Sequence, residues 1–244
     1  MNLSRIAKIA CHLILGKIVS GIVVIIYLFT SEPDRDRFPI RGIDVSHQQG
    51  HIDWIKVARD DVAFAYLKAS EGVDVVDSHF KENSHAAEDA GIKVGAYHLF
   101  TFCHSGKNQA AVFLQVAGKQ KQKFLPAVYL EFAGNCARQP SPSELKIELD
   151  SFVHMVEETR AKPVVIYVTA EAFHAYQDVL PHRPIWLRSL SDEPGQNNWA
   201  LWQYDSAGRV AGIEGRVGLN LFCGSMEAFN LMVSQATYTG CGMR

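Results

Sequence analysis

The chain has 244 residues, 48% apolar and 20% charged, a balance that suits a folded protein with one sizeable core. A formal charge of -2 leaves no strongly basic field, so nucleic acid is not an expected partner.

From Ile18 to Thr30 the sequence carries no charge, and extending the run back to Ile9 admits only His12 and Lys17 among polar side chains that interrupt it. A bilayer needs roughly 20 apolar residues, so residues 1–30 read as a membrane signal-anchor or a signal peptide. Arg5, Lys8 and Lys17 precede the core of the run and Glu32 and Asp34 follow it. Under the positive-inside rule the N-terminus then lies inside. The expected location is the cytoplasmic membrane, single-pass, with the remainder of the chain on the periplasmic or extracellular side. Secretion after cleavage is the alternative. Residues 31–37 are charged, contain Pro33, and read as a tether.

Next comes an alternation of apolar runs and amphipathic stretches. Ile40–Asp44 and Asp61–Leu67 are strand candidates; Asp77–Ala90 reads as an exposed helix stopped by Gly91. Ile92–Tyr97 is a strand, Asn108–Val116 a helix, Ala127–Leu130 a strand. A helix from Ser143 to Thr159 has Glu144 in its first turn, where negative charge is favourable. The strand Pro163–Tyr167 is followed by a helical stretch at Ala170–Tyr176. Beyond it, Ile185–Leu187, Trp199–Trp202 and Gly218–Phe222 are short strands with no room between them for full helices. The expected fold is α/β, a modified TIM-like β/α barrel of about eight strands, with five βα units and an irregular, β-rich last third. It occupies residues 38–232, and residues 233–244 read as a flexible tail. No GxGxxG follows a strand and no P-loop is present, so no nucleotide cofactor is expected.

The chemistry concentrates at strand ends. Asp44 and Glu131 each close an apolar run, where a barrel gathers its functional side chains. Asp53, before Trp54, reads as a helix N-cap. Glu71 and Asp77 are candidates either to line a cleft or to fix a loop. Tyr97, Tyr167, Trp186 and Trp202 are candidate sugar platforms, since aromatic faces pack on pyranose rings. His98 alternates with Tyr97, so one of the two faces away from the pocket. None of the five cysteines forms a CxxC pair, and His47 and His98 lack a third ligand, so no metal is expected. The pairing of Cys103, Cys136, Cys223 and Cys241 is open at this level, and Cys11 lies in the apolar N-terminal run.

Several ordered blocks carry a resemblance: Arg41-Gly-Ile-Asp44-Val-Ser-His47-Gln-Gln-Gly50-His-Ile-Asp53-Trp54, Leu67-Lys-Ala-Ser-Glu71-Gly72, Asp77-Ser-His-Phe80, Gly95-Ala-Tyr97-His98, Pro163-Val-Val-Ile-Tyr167, Ile185-Trp186-Leu187, Trp202-Gln203-Tyr204 and Gly208-Arg-Val-Ala-Gly212-Ile213. From about Phe38 to Phe229 the chain resembles the glycoside hydrolase family 25 lysozymes, the Chalaropsis-type N-acetylmuramidases. That resemblance implies hydrolysis of the β-1,4 bond between N-acetylmuramic acid and N-acetylglucosamine in peptidoglycan glycan strands. Glu131 matches the general acid, and Asp44 matches the first-strand aspartate of the catalytic site. Tyr97, Tyr167, Trp186, Trp202 and Glu71, with Tyr129 and Arg188 at positions that depart from the pattern, are the candidate substrate-binding residues. It also implies that the substrate's own N-acetyl group serves as nucleophile, assisted by an aspartate.

Three positions depart from the family pattern. The resemblance implies Asp-x-Glu on the fourth βα strand, where this chain reads Tyr129-Leu-Glu131. It implies an aspartate where Gly218 stands, and an alanine where Arg188 follows Trp186-Leu187. Retention of Glu131 and Asp44 points to a muramidase of reduced activity. Loss of two carboxylates points to the alternative, a catalytically inactive lysozyme-like protein that binds peptidoglycan or acts as a scaffold.

Overall fold

The computed structural model describes residues 32–118, 124–132, 135–137, 139–195 and 199–238. Residues 36–244 constitute one compact unit. Its strands are β1 (Arg41–Val45), β2 (Val62–Glu71), β3 (Val75–Val76), β4 (Lys93–Leu99), β5 (Ala127–Leu130), β6 (Val165–Thr169), β7 (Ile185–Arg188), β8 (Trp199–Gly208) and β9 (Val217–Phe222). Its α-helices are α1 (Trp54–Arg59), α2 (Phe80–Asp89), α3 (Gly106–Ala117), α4 (Pro142–Arg160), α5 (Ala170–Tyr176) and α6 (Met226–Gln235).

The sheet order is β1-β9-β8-β7-β6-β5-β4-β2-β3, and β1 also pairs with β2. Eight strands therefore close into a barrel, and the two-residue β3 hangs antiparallel from the end of β2. Neighbours from β1 through β8 run parallel; β9 alone among the described strands of the barrel pairs antiparallel on both sides. Helices α1 to α5 supply the five βα units that the sequence predicts, and among the described residues no helix separates β7, β8 and β9.

Alternation along the strands divides the core in two. Outward residues such as Val94, Ala96, Val128, Leu130, Ile166 and Val168 pack with Phe113, Leu149 and Phe152 of the helical shell. Inward residues are mostly aromatic: Phe64, Tyr66, Tyr97, Tyr129, Tyr167, Trp186 and Phe222. Phe229 of α6 packs against Phe64, Phe124 and Phe222 at centroid distances of 5.9, 5.4 and 5.2 Å, so α6 stoppers the end where the parallel strands begin. Each such ring removed from water contributes roughly 1.5–3 kcal/mol. Helix starts follow local chemistry. Asp53 caps α1 through Lys56 N, as expected. Ser141 and Glu144 form a capping box that starts α4 at Pro142, one residue before the expected Ser143.

Two expectations are corrected here. Helix α6 runs to Gln235, and Tyr238 donates to Trp199 O and packs on Phe222 at 6.3 Å. Residues 233–238 are thus part of the fold, because their apolar side chains reach the barrel end; only 239–244 of the expected tail lie outside the described residues. The single-pass membrane location is withdrawn. Among the described residues no helix is long and apolar enough to cross a membrane. The run Ile9–Thr30 on which that location rested, with Cys11, lies outside them.

His98 faces the helices, and Tyr97 faces the barrel interior. Gln109 Nε2 donates to Thr101 O and His104 O, so its Oε1 accepts, and His98 Nε2–H supplies the bond at 3.2 Å. His98 Nδ1 then accepts from Ser70 Oγ at 2.9 Å. Burial pushes this neutral imidazole down to about 4. An unfolded histidine titrates near 6.5, so between those values the unfolded chain binds more protons and stability falls as pH falls. From pH 7 to pH 4 the natural chain should lose about 3 kcal/mol more than His98→Gln in urea denaturation.

Candidate functional site

The C-terminal ends of the parallel strands open on a cavity of about 240 Å³ that brings together Asp44, Tyr97, Tyr129, Glu131, Tyr167 and Arg188. Gln203 and Gly218 complete its floor, with Ser46, Gln48, Gln49, Ser206 and Arg216 around the rim. A larger cavity of about 780 Å³, bordered by Pro163, Phe173, Pro184 and Tyr238, contains neither Asp44 nor Glu131. The smaller one is the candidate site, because it is where acids and aromatic side chains converge.

Asp44 is the anchor of the floor. Its Oδ1 accepts from Gln203 Nε2 and from Asn220 Nδ2, both at 2.7 Å. The two amides are themselves oriented from behind. Tyr167 Oη donates to Gln203 Oε1 at 2.9 Å, and Trp186 Nε1 donates to Asn220 Oδ1 at 2.8 Å. An indole N–H can only donate, so it fixes which end of Asn220 faces Asp44. Burial raises the Asp44 pKa above the ordinary carboxylate value. Bonds from Asn220 and Gln203 pull it back, and the charge of Glu131 adds to the rise.

Gly218 is paired with Asp44 across the β1–β9 seam. A Cβ at position 218 would lie 2.1 Å from Asp44 Oδ1, so the carboxylate occupies space that any side chain there would need. The absent aspartate implied at 218 and the seating of Asp44 are two views of one arrangement.

The wall beside Asp44 consists of three parallel phenols. Tyr129 lies between Tyr97 and Tyr167, with ring centroids 4.0 and 3.8 Å away and planes within 15° and 10°. The β5–β6 register pairs Tyr129 with Tyr167, whereas Tyr97 stands opposite Ala127, two positions back, and reaches the stack with its ring; an aromatic residue at 129 thus completes a stack that its neighbours frame. Burial, then the nearby Asp44 charge, raise the hydroxyl pKa values of Tyr97 and Tyr129 well above that of free tyrosine. Tyr129 Oη is buried with no partner in hydrogen-bonding geometry, although it sits near enough to Asp44 to draw its pKa down slightly.

Glu131 follows β5, and Arg188 ends β7. Arg188 Nη1 donates to Glu131 Oε1 at 3.3 Å, with the side chains 29% and 40% exposed. One of the two carboxyl oxygens of Glu131 is therefore in contact with a guanidinium. The segment behind Glu131 is tied down twice. Cys103 and Cys136 form a disulfide, and Asn135 Nδ2 donates to Phe100 O and Glu131 O at 2.7 and 2.8 Å. Cys223 is also disulfide-bonded.

The remaining expected site residues lie elsewhere. Trp186 is fully buried beneath the floor, where its role is to orient Asn220. Trp202 faces outward against Phe38 and Trp199 and donates to Ser189 O at 2.8 Å. Glu71 pairs with Lys68 Nζ at 2.6 Å and does not line the cavity. Asp77 fixes a loop, accepting from His47 N at 2.8 Å and His79 N at 3.0 Å and contacting His47 Nδ1 at 2.9 Å. Gln203 and Asn220 were not singled out in the sequence. Both share the inward parity of their strands, Asn220 two residues from Gly218, and that parity is the signal that would have found them. Among the described residues no group of three or more His, Cys, Asp or Glu is arranged to hold a metal ion.

Comparison with known proteins fits this geometry. The sequence profile of the glycosyl hydrolases family 25 matches residues 43–213. The chain belongs to that family. It is 33% identical over 205 residues to Lysozyme M1 of Streptomyces globisporus, covering 78% of this chain and 70% of that protein. It is equally 33% identical over 205 residues to the uncharacterized protein YegX of Escherichia coli K12, covering 80% of this chain and 74% of YegX. The structure superposes on a family 25 glycosyl hydrolase from Bacillus anthracis with a TM-score of 0.74 and 36% identity, over 80% of this chain and 93% of that one. Membership of family 25 makes an interaction with peptidoglycan the natural frame for the cavity.

Asn220 is the strongest of the groups holding the Asp44 pKa down. Asn220→Ala should therefore raise that pKa further, as read by carbon-detected NMR titration of the carboxyl. It should also cost about 1–3 kcal/mol of stability, since the buried Trp186 N–H loses its acceptor.

Proposed function

We propose that the protein is a lysozyme-like peptidoglycan-binding protein in which family 25 hydrolysis has been lost. The observation that carries this reading is Tyr129, whose ring fills the gap between Tyr97 and Tyr167 where the resemblance implies a carboxylate. Glycoside cleavage needs a carboxylic acid ready to protonate the leaving oxygen and negative charge beside the developing oxocarbenium ion. Where the resemblance implies acids, this chain has a phenol at 129 and glycine at 218, and one oxygen of Glu131 contacts Arg188. The cavity volume of about 240 Å³ lies below the roughly 300–1,000 Å³ of ordinary ligand clefts. A rim-bound glycan strand, held without the ring distortion that hydrolysis demands, fits such a site.

A second reading rests on one specific observation: Asp44 and Glu131 still border the same cavity. It assigns N-acetylmuramidase activity at the β-1,4 bond, with Glu131 as acid, Asp44 assisting the acetamide and reduced turnover. On either reading residues 38–238 are the functional barrel, with Tyr97, Tyr167 and Arg188 closest to the bound sugar.

The full chain should sediment with insoluble peptidoglycan and release no reducing ends from it. Tyr129→Asp combined with Arg188→Ala should introduce measurable release. Release by the natural chain that disappears in Glu131→Gln would overturn the proposal and establish the enzyme.

A further inference from the structure

We infer that Arg188 makes this site selective for glycan whose muramic acid residues carry a free lactyl carboxylate, that is, for strands from which the stem peptide has been removed. The inference rests on the peptidoglycan-binding reading above and names the form of glycan that it would take.

The starting point is the charge at the cavity. Asp44 and Glu131 line it together with Arg188 and Arg216, so its acids and cations balance. The pattern implied by the resemblance has two further acids, at 129 and 218, and alanine at 188. The side chains actually present shift the mouth toward positive charge, which suits an anionic ligand better than a neutral chitin-like strand.

Arg188 keeps donors to spare, although it also bonds the Tyr167 hydroxyl and pulls that group's pKa down. A guanidinium carries five N–H donors, and charge-assisted bonds to carboxylates close to roughly 2.7–2.9 Å, often in pairs. The bond to Glu131 is single, 3.3 Å long and partly open to solvent. Such an exposed contact contributes little, about 0–1 kcal/mol. A ligand carboxylate able to accept two parallel bonds would displace it at small cost. Glu131 thus acts as an occupant of the anion position that gives way to ligand.

Tyr129 lies along the same wall, its buried hydroxyl close enough to Asp44 to hold that carboxyl's pKa down. Arg216 extends the cationic rim, with its Nη1 held by Ala207 O at 2.9 Å.

In intact wall the lactyl carboxyl of muramic acid is bonded as an amide to the stem peptide and carries no charge. Hydrolysis of that amide consumes one water and leaves a carboxylate on the sugar and an amine on the peptide. The reaction class that must precede binding is therefore amide hydrolysis at the lactyl–peptide bond. The protein would mark wall that such a reaction has already stripped.

The test is calorimetric titration of the full chain with three soluble probes: peptide-free glycan with free lactyl carboxylates, the same glycan with those carboxylates converted to primary amides, and an oligomer of N-acetylglucosamine. The free-acid glycan should bind about tenfold or more tightly than its amide. Arg188→Ala should erase that preference, so that acid and amide bind with equal affinity, and Arg188→Lys should keep part of it. Glu131→Gln, which removes the competing carboxylate, should strengthen binding of the free acid. Equal affinity for acid and amide would overturn the inference and leave the peptidoglycan-binding reading intact. No binding of any of the three probes would overturn both. Circular dichroism melts of each variant check that lost binding does not reflect lost fold.

Discussion

The seam between β1 and β9 sets everything at the mouth of this barrel. Seven strands arrive from β1 to β8 in parallel, and the last gap is closed by β9 running the other way. That closure fixes Gly218 opposite Asp44 and Asn220 opposite Gly42. It places an amide donor against the carboxylate and leaves no room for a side chain at 218. The register is stiff because a slip of one residue would turn Leu219 and Leu221, which pack outward, into the barrel. The position of Asp44 is thereby coupled to the closure of the whole sheet.

From that seam a chain of hydrogen bonds spreads through the interior. Trp186 orients Asn220, Tyr167 orients Gln203, and both amides converge on one oxygen. The arrangement holds a carboxylate in a buried place by aiming two oriented amide donors at it. The groups that meet Asp44 directly are amides, with the Tyr129 phenol beside them.

Much of this was legible in the sequence. The alternation of apolar runs and amphipathic stretches gave five βα units, and the shortened spacing after Tyr176 foretold strands without intervening helices. Asp53 as a cap and the opposite facing of Tyr97 and His98 follow from local rules of spacing. The aromatic residues were harder. Trp186 and Trp202 stand in motifs that resemble sugar-binding blocks, yet one lies under the floor and the other faces the outer layer. Residue type does not say at which depth of a barrel a ring sits; that depends on strand stagger, which no local pattern encodes. The Arg188–Glu131 contact joins residues 57 positions apart and depends on the same stagger.

The clasp behind Glu131 has a consequence of a different kind. The loop leaving β4 and the loop leaving β5 are joined by Cys103–Cys136, and Asn135 stitches the same two loops through backbone atoms. The barrel owes its closure to backbone ladders and buried rings, none of which involves that bond. Without that bond the arm that presents Glu131 would keep the Asn135 stitches, the Phe132 ring contacts with Phe102 and Tyr176, and the Arg188 contact. The floor around Asp44 is held by hydrogen bonds, whereas the arm of Glu131 depends in addition on the oxidised state of the chain.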